Sequence, residues 1–125
     1  MMIHTAIAVQ CSRTGRFLMR REIDDSGQPI WGLTSQASED CFSPMSTMLE
    51  ELSLIIKGGS PEVLTYVDVF RSNLHLYHCW MDGKDLCGND GSYEWHGLYQ
   101  LPEHLHQNVN DALDSKHFME LILSE

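Results

Sequence analysis

The alternation of hydrophobic and polar residues predicts strands over the first quarter of the chain. Residues 3–10 alternate and are rich in β-branched side chains, which is typical of a strand. After a turn that ends at Gly15, residues 16–21 form a second predicted strand, which we expect to pair with the first as a hairpin. A cluster of turn residues over 24–29 then precedes a short extended piece at 30–33.

A single helix is predicted in the middle of the chain. Residues 34–43 are polar and lack any period, so we predict a loop there. Ser43 is the expected N-cap, and Pro44 suits the first helical position. The apolar residues that follow recur at the spacing of a core-facing helix: Met45, Met48, Leu49, Leu52, Ile55 and Ile56. Lys57 and the two glycines after it end the predicted helix.

The second half of the sequence predicts three strands and a helical region. Residues 62–70 and 74–81 are separated by a short turn, so we expect a hairpin. The glycine-rich and aspartate-rich segment 82–91 is predicted as a mobile loop, and 93–99 as a strand. Helical spacing of apolar residues resumes after Leu101 and continues to the end of the chain.

This order of elements predicts an α+β fold. Two strands, a helix, three strands and a helical region do not form a regular βαβ series. We therefore expect a mixed β-sheet sandwiched between the central helix and the C-terminal helices. A chain of 125 residues is the size of one ordinary domain, so a single domain over residues 1–125 is predicted.

Composition excludes several classes of function. Eighteen acidic residues against eight Lys and Arg give a formal charge of −10, which argues against a binder of nucleic-acid duplexes. No apolar run approaches the roughly 20 residues of a membrane span. The N-terminal residues do not resemble a signal peptide, and the four cysteines are scattered, so we expect a cytoplasmic protein with small buried thiols.

The predicted central helix carries one chemically suggestive pair, Glu50 and Glu51. Adjacent residues lie about 100° apart on a helix, so these carboxylates flank the buried stripe. Two carboxylates at such a border suit Mg²⁺ or Mn²⁺, which prefer oxygen ligands together with water and substrate phosphates. The alternative is a solvated pair on an exposed helix.

The surrounding pattern resembles the Nudix family over nearly the whole chain. Its members typically run from a strand into "G-x-hydrophobic-L-hydrophobic-x-R", then "W-x-L-P-G-G", a loop, and a helix ending "R-E-hydrophobic-x-E-E". This sequence has Gly15-Arg16-Phe17-Leu18-Met19-Arg20-Arg21, then Trp31-Gly32-Leu33-Thr34, a polar loop, and Met48-Leu49-Glu50-Glu51-Leu52. Two strands, an acidic-aromatic Glu94-Trp95 and the Leu101-Pro102 before a final helix continue the likeness.

The motif of that family is eroded in this sequence. Ser35 and Gln36 stand where the family has two glycines, and the loop that follows is shorter than usual. Ser46 and Thr47 replace the "R-E" of the helix, and Ser53 replaces its terminal glycine. Of the metal-binding cluster only the glutamate pair is left, because Thr47 occupies the place of a third carboxylate.

The resemblance implies a hydrolase of nucleoside diphosphate-linked compounds or nucleotides that depends on Mg²⁺ or Mn²⁺. It implies Glu50 and Glu51 as metal ligands, and Glu51 and Glu94 as catalytic carboxylates. Glu39 or Asp40 in the loop, or Glu94 from the later strand, are alternative residues for completing the metal site.

Arg16, Arg20 and Arg21 form the basic cluster of the sequence. Arg16 and Arg20 are candidates to bind the phosphates of a ligand, while charge balance with Glu22 and Asp24 is the alternative role. The alternative function is an inactive Nudix-fold module that binds a nucleotide or a protein partner, and the chain is a candidate homodimer.

Other catalytic sites are poorly supported by the sequence. His78 and Cys79 are neighbours in a predicted strand, so their side chains point to opposite faces and cannot act as a base and nucleophile. His104 and His106 have no third ligand near them in sequence, so we do not expect a zinc site.

Overall fold

The computed structural model describes residues 3–38, 45–57, 61–70, 73–83, 85–87 and 91–123. Its elements in chain order are β1 (Ile3–Cys11), β2 (Phe17–Ile23), β3 (Pro29–Gly32), β4 (Thr34–Ser38), α1 (Met45–Ile55), β5 (Ile56–Lys57), β6 (Pro61–Phe70), β7 (Leu74–Met81), β8 (Asp85–Leu86), β9 (Tyr93–His96), α2 (Gln107–Asp114) and α3 (Lys116–Leu123). The predicted Ser43 and Pro44 cap lies outside the described residues.

Strand β1 is the centre of a mixed sheet. It pairs in parallel with β7 from His4 to Cys11, and antiparallel with β2 and β4 on its other side. The main strand order is β3-β2-β1-β7-β6, with β9 on β2 and β4 on β1. Because β1 is buried on both faces, its sequence is a nearly continuous run of buried residues. The predicted hairpins β1–β2 and β6–β7 are both confirmed.

Helix α1 covers one face of this sheet, which we call the α1 face. Met48, Leu52 and Ile56 are fully buried there, and pack with Ile7, Val9, Leu18, Cys79 and Met81 of the strands. The predicted apolar stripe is confirmed, although Ile56 already belongs to the short strand β5.

Helices α2 and α3 cover the opposite face, which we call the α2–α3 face. Their buried residues Val109, Ala112, Phe118 and Ile122 pack with Ala6, Ala8, Phe17, Met19, Leu33 and Leu76. The odd residues of β1 thus face α1 and the even ones face α2 and α3, as the pleat of a strand requires. The predicted α+β sandwich, a mixed sheet between helices, is confirmed.

The predicted loop over residues 34–43 is wrong in its first half. Residues Thr34–Ser38 form β4, which pairs antiparallel with β1 from Ile3↔Ser38 to Ile7↔Thr34. A polar segment becomes a strand here because β1 offers it an unpaired backbone edge. Strand β4 continues the path of β3, so residues 29–38 pair first with β2 and then with β1. Residues 39–43 lie outside the described part of the chain.

Two further boundaries differ from the predictions. The C-terminal helical region begins at Gln107 rather than soon after Leu101, and it is divided into α2 and α3 at Ser115. The segment 82–91, predicted as a loop, contains the two-residue strand β8, which pairs with β5. Of the described cysteines, Cys11 and Cys79 are buried free thiols, as expected, and Cys87 is half-buried.

Candidate functional site

Helix α1 presents Glu50 and Glu51 to solvent. The helix is anchored by Met48 and Leu52, which are buried on the sheet, while both glutamates are exposed. Thr47 is exposed one turn earlier. Positions 47, 50 and 51 are related by i, i+3 and i+4, so they lie on neighbouring parts of the helix surface. The structure therefore brings two carboxylates and one hydroxyl to the same side of α1.

An open depression lies beside Glu50. It is lined by Leu49, Glu50, Ser53 and Leu54, and Leu54 is 77% exposed. The Ser53 hydroxyl donates a hydrogen bond of 2.9 Å to the Leu49 carbonyl oxygen, so it is held along the helix. A molecule bound at the glutamates would thus also contact apolar surface on the outer side of α1.

Glu94 points away from the helix. Strand β9 pairs with β2 so that Glu94 lies opposite Met19, a residue of the core beneath α2 and α3. Paired residues of an antiparallel ladder point to the same face, which places Glu94 on the α2–α3 face. There its Oε1 lies 3.0 Å from Nε2 of His96. The structure does not bring Glu94 to the same face as Glu50 and Glu51.

The three arginines of the basic cluster have different surroundings. Arg20 lies two residues after the buried Leu18 on β2. Residues two apart on a strand point to the same face, so Arg20 lies on the α1 face. Its Nη2 donates a 3.2 Å hydrogen bond to the Ser35 carbonyl oxygen and lies 3.7 Å from a Glu22 carboxylate oxygen. Arg16 and Arg21 are exposed. Both roles considered for Arg20, charge balance and ligand binding, are compatible with this position.

Two buried polar atoms on the α1 face are not identified from the sequence. The Thr34 hydroxyl and the Trp95 indole Nε1 are buried and have no hydrogen-bond partner among the residues that the structure describes. Thr34 lies opposite Ile7, and Trp95 opposite Leu18, and both of these partners belong to the core beneath α1. The sequence indicates Trp95 only through its position next to Glu94. It does not indicate the burial of these two atoms, because burial of a single polar atom depends on how the strands pair.

Comparison with known proteins identifies the fold. No protein-family model and no curated protein matches the sequence. Solved structures do match. The C-terminal domain of mouse MUTYH, in complex with human PCNA, has a TM-score of 0.58 at 12% identity, with 100% of this chain and 99% of that chain covered. A MutT Nudix hydrolase from Burkholderia pseudomallei has a TM-score of 0.52 at 20% identity, with 91% and 96% covered. A protein from Jonesia denitrificans, described as a possible asymmetric diadenosine tetraphosphate hydrolase, has a TM-score of 0.54 at 8% identity, with 97% of this chain and 92% of that chain covered.

The chain has a Nudix fold. The resemblance expected from the sequence is therefore confirmed at the level of the fold, and α1 is the helix on which the glutamate pair was expected. In place of the glycines of the family motif, Ser35 and Gln36 belong to strand β4. The residues of the predicted site stay predictions, and Glu39 and Asp40 lie outside the described residues.

The remaining candidate groups of this Nudix fold have structural partners. His78 packs near Phe118 on the α2–α3 face, whereas Cys79 belongs to the core beneath α1, and burial raises the pKa of its thiol to about 11. The His106 Nδ1 atom accepts a hydrogen bond from the Asn108 backbone and caps α2. Within the described ranges, no three His, Cys, Asp or Glu side chains form a group that could hold a metal ion. Those ranges also contain no helix with the length and apolar character needed to span a membrane.

Proposed function

We propose that the protein is a hydrolase that depends on a divalent cation and acts on a nucleoside diphosphate-linked compound. The observation that carries this proposal is the exposed pair Glu50 and Glu51 on the sheet-anchored helix of a Nudix fold. A helix that is fixed by two buried side chains holds its exposed carboxylates in a defined position, which a ligand site requires.

Glu50 and Glu51 are the residues that would hold the cation. Their carboxylates are oxygen donors, which fit Mg²⁺ or Mn²⁺, and two protein ligands leave positions for water and for phosphate oxygens. When bound, such a cation neutralises phosphate charge and lowers the pKa of a coordinated water. In this proposal Glu51 is also the carboxylate that accepts the proton of the attacking water.

Arg20 on the α1 face would help to position the ligand. The Arg20 guanidinium lies on that face and is able to donate to phosphate oxygens with the nitrogens not used by Ser35. The Trp95 indole Nε1 is buried beneath α1, so it does not face a ligand bound at the exposed glutamates. The partly exposed guanidinium of Arg20 is thus the described group that supports an anionic ligand on this side of the sheet.

A Nudix-fold binding module without turnover is the second candidate. It is favoured by Thr47, which supplies a hydroxyl at the place of a third carboxylate, and by Glu94, which faces the other side of the sheet. A domain of this fold, the C-terminal domain of mouse MUTYH, occurs in complex with another protein, human PCNA. In this case a nucleotide or a protein partner would bind without being hydrolysed.

Release of a nucleoside monophosphate from a nucleotide panel, together with pyrophosphate, a second nucleotide or a sugar phosphate according to the substrate, distinguishes the two candidates. The panel should contain nucleoside triphosphates, dinucleoside polyphosphates and nucleotide sugars, each with Mg²⁺ and with Mn²⁺. Cation-dependent release that is lost on substituting Glu51 by Gln supports the hydrolase. Nucleotide binding by calorimetry without product release supports the binding module, and would contradict the hydrolase.

Neutralising both glutamates should abolish binding of divalent cations without unfolding the protein. The Glu50→Gln, Glu51→Gln variant removes the two negative charges but keeps the size of the side chains. Because both residues are exposed, we expect the free energy of unfolding to change by less than about 0.5 kcal/mol. Calorimetric titration with Mn²⁺ is the measurement. The matched control is Glu103→Gln with Glu120→Gln, which changes the net charge equally at exposed positions outside α1. Equal affinity in the two double variants would place the cation elsewhere.

Introducing a carboxylate at position 47 should strengthen cation binding. In the Thr47→Glu variant a third carboxylate stands one turn before Glu50 and Glu51, which adds an oxygen ligand on the same side of the helix. We expect tighter Mn²⁺ binding, with at most a modest rise in hydrolysis because the loop glycines of the family are absent. The control is Thr14→Glu, the same substitution at an exposed position in the β1–β2 turn. If Mn²⁺ affinity at position 47 is unchanged or falls, the three positions do not form a usable ligand set.

A further inference from the structure

Strand β6 forms an exposed edge of the sheet. In the described part of the chain it is the outermost strand, and it pairs only with β7. At 10 residues it is longer than an average strand, which has about 5–6 residues. The unpaired N–H and C=O groups along such an edge are a template for another strand, and natural edges are usually short or charged for this reason.

The side chains of β6 leave apolar surface on both faces. Val63 is 54% exposed and Tyr66 is 49% exposed, and Leu64 and Val69 are also exposed. The Tyr66 ring packs edge-on against Tyr77, with ring centroids 5.1 Å apart, and its hydroxyl lies 3.2 Å from Nδ1 of His75. The exposed Tyr66 side chain is therefore held in place by residues of the neighbouring strand β7.

A groove runs between this edge and helix α3. It is lined by Thr65, Tyr66 and Val67 of β6 and by His117, Glu120 and Leu121 of α3, with a volume of about 440 Å³. One wall is thus the edge of a strand and the other is a helix. This arrangement accepts an extended peptide, because the peptide's backbone can pair with the strand while its side chains pack against the helix.

Two symmetric pairings of this edge with a second copy of the chain are unfavourable. Antiparallel pairing centred on Thr65 would bring the acidic residues Glu62 and Asp68 of the two copies together, and it would cross both irregularities of β6. Pairing centred on Tyr66 would cross the bulge between Tyr66 and Asp68. It would place Leu64 of one copy opposite Asp68 of the other. Leu64 pairs with Cys79 on the α1 face and Asp68 pairs with Leu76 on the α2–α3 face, so the two side chains point to opposite faces.

Charge favours a basic partner. The groove carries Glu120, and Glu62 and Asp68 lie on the same strand edge, in a chain whose net charge is −10. Asp68 is held by hydrogen bonds from the Ser115 hydroxyl and the Val69 backbone N–H, so its carboxylate is fixed near the end of α2. A segment that alternates apolar residues with Lys or Arg would match both the apolar side chains of β6 and these carboxylates.

We propose that the groove between β6 and α3 binds an extended basic segment of a partner protein, which adds as a strand to the edge of β6. This interaction does not involve Glu50 or Glu51, and it goes beyond the proposed hydrolase. It would leave the α1 face free for a nucleotide ligand while the partner is bound at the far edge of the sheet.

Titration of the full chain with a defined peptide tests this proposal. The probe is the capped nonapeptide Lys-Val-Thr-Val-Lys-Val-Thr-Val-Lys, and its control has Glu in place of each Lys. A third peptide keeps the side chains of the first but carries N-methyl groups on all of its central backbone nitrogens, so that neither edge of the peptide can donate to a strand ladder. We expect the basic peptide to shift the amide resonances of residues 63–69 and of α3, and the other two peptides to bind far more weakly.

Charge reversal on α3 supplies the matched variants. Glu120→Lys should weaken binding of the basic peptide by a factor of about three to ten, as for loss and reversal of an exposed ion pair. Glu103→Lys changes the net charge equally, but Glu103 lies close in sequence to Leu105, which bridges to β3 at the other end of the sheet. This control should change the affinity less than twofold.

Three results would overturn the proposal. Resonance shifts confined to other parts of the chain would place the peptide elsewhere. Equal binding of the basic and N-methylated peptides would exclude strand addition. Dimerisation of the free chain that is lost on substituting Val63 or Tyr66 by Lys, measured by sedimentation velocity, would identify a second copy as the occupant of the edge. Failure of any of these tests leaves the hydrolase proposal unaffected, because cation binding is measured separately.

Discussion

Replacing Leu52 by alanine should lower the free energy of unfolding by about 2–5 kcal/mol. Leu52 is completely buried between α1 and the sheet, in contact with the cluster that includes Ile7, Val9 and Leu18. Truncation removes apolar contacts and leaves a cavity that the surrounding strands cannot fully close, because β1 is paired on both sides. Urea unfolding, followed by circular dichroism, measures the loss.

The matched control lies on the same helix. Leu54 is 77% exposed, so Leu54→Ala removes the same atoms with the same change in helix propensity but without a cavity. We expect a change of less than about 0.5 kcal/mol for this variant. Similar losses of stability at both positions would show that α1 does not pack on the sheet through Leu52. Glu50 and Glu51 would then not lie on the solvent-facing side of the helix.

The sequence was most informative where one residue pattern determines one structure. The alternation of residues 3–10 predicted a strand, and the spacing of Met48, Leu52 and Ile56 predicted a helix that packs on the sheet, because these patterns depend on local burial alone. Strand β4 was missed because its residues are polar. It is a strand only because β1 diverges from β2 and leaves an edge open, and this divergence depends on pairing between distant residues.

The site shows the same limit. Exposure of Glu50 and Glu51 follows from helical spacing and could be predicted. The face to which Glu94 points follows from its pairing with Met19, and a shift of one residue in that register would move it to the other face. No local pattern contains the register between β2 and β9, so the distance between Glu94 and the glutamate pair could not be inferred from the sequence.

His78 is a second residue whose environment depends on strand pairing. It lies on β7 opposite Ala8 of β1, with its ring near Trp80 and Phe118, and it is fully buried. Gln10 donates from Nε2 to the Gly15 carbonyl oxygen, so its Oε1 is left to accept a 2.8 Å hydrogen bond from Nε2 of His78. The proton of the neutral imidazole is therefore assigned to Nε2, and Nδ1 is buried with no hydrogen-bond partner in the described part of the chain. A second proton on Nδ1 would place an unpaired charge in the core.

We expect this histidine to destabilise the protein in acid. Burial lowers the pKa of His78 from 6.5 to about 4 in the folded protein. Between these two values the unfolded chain binds more protons than the folded chain, so the free energy of unfolding falls as the pH falls from 6.5 to 4. The difference in pKa corresponds to about 3 kcal/mol, which is present above pH 7, is lost progressively as the pH falls towards 4, and is lost completely only below pH 4.

Comparison of His78→Leu with the wild type separates this effect from the titration of the carboxylates. The variant removes the imidazole. Between pH 7 and pH 4 we therefore expect its free energy of unfolding to fall by about 3 kcal/mol less than that of the wild type. The variant will also be less stable at pH 7, because Gln10 loses its donor, but that loss is constant across the interval. The control is His117→Leu, at an exposed position on α3, which should keep the wild-type pH dependence. Parallel curves for the wild type and His78→Leu would mean that the imidazole is protonated in the core at pH 5, and that a group near Nδ1 stabilises the charge.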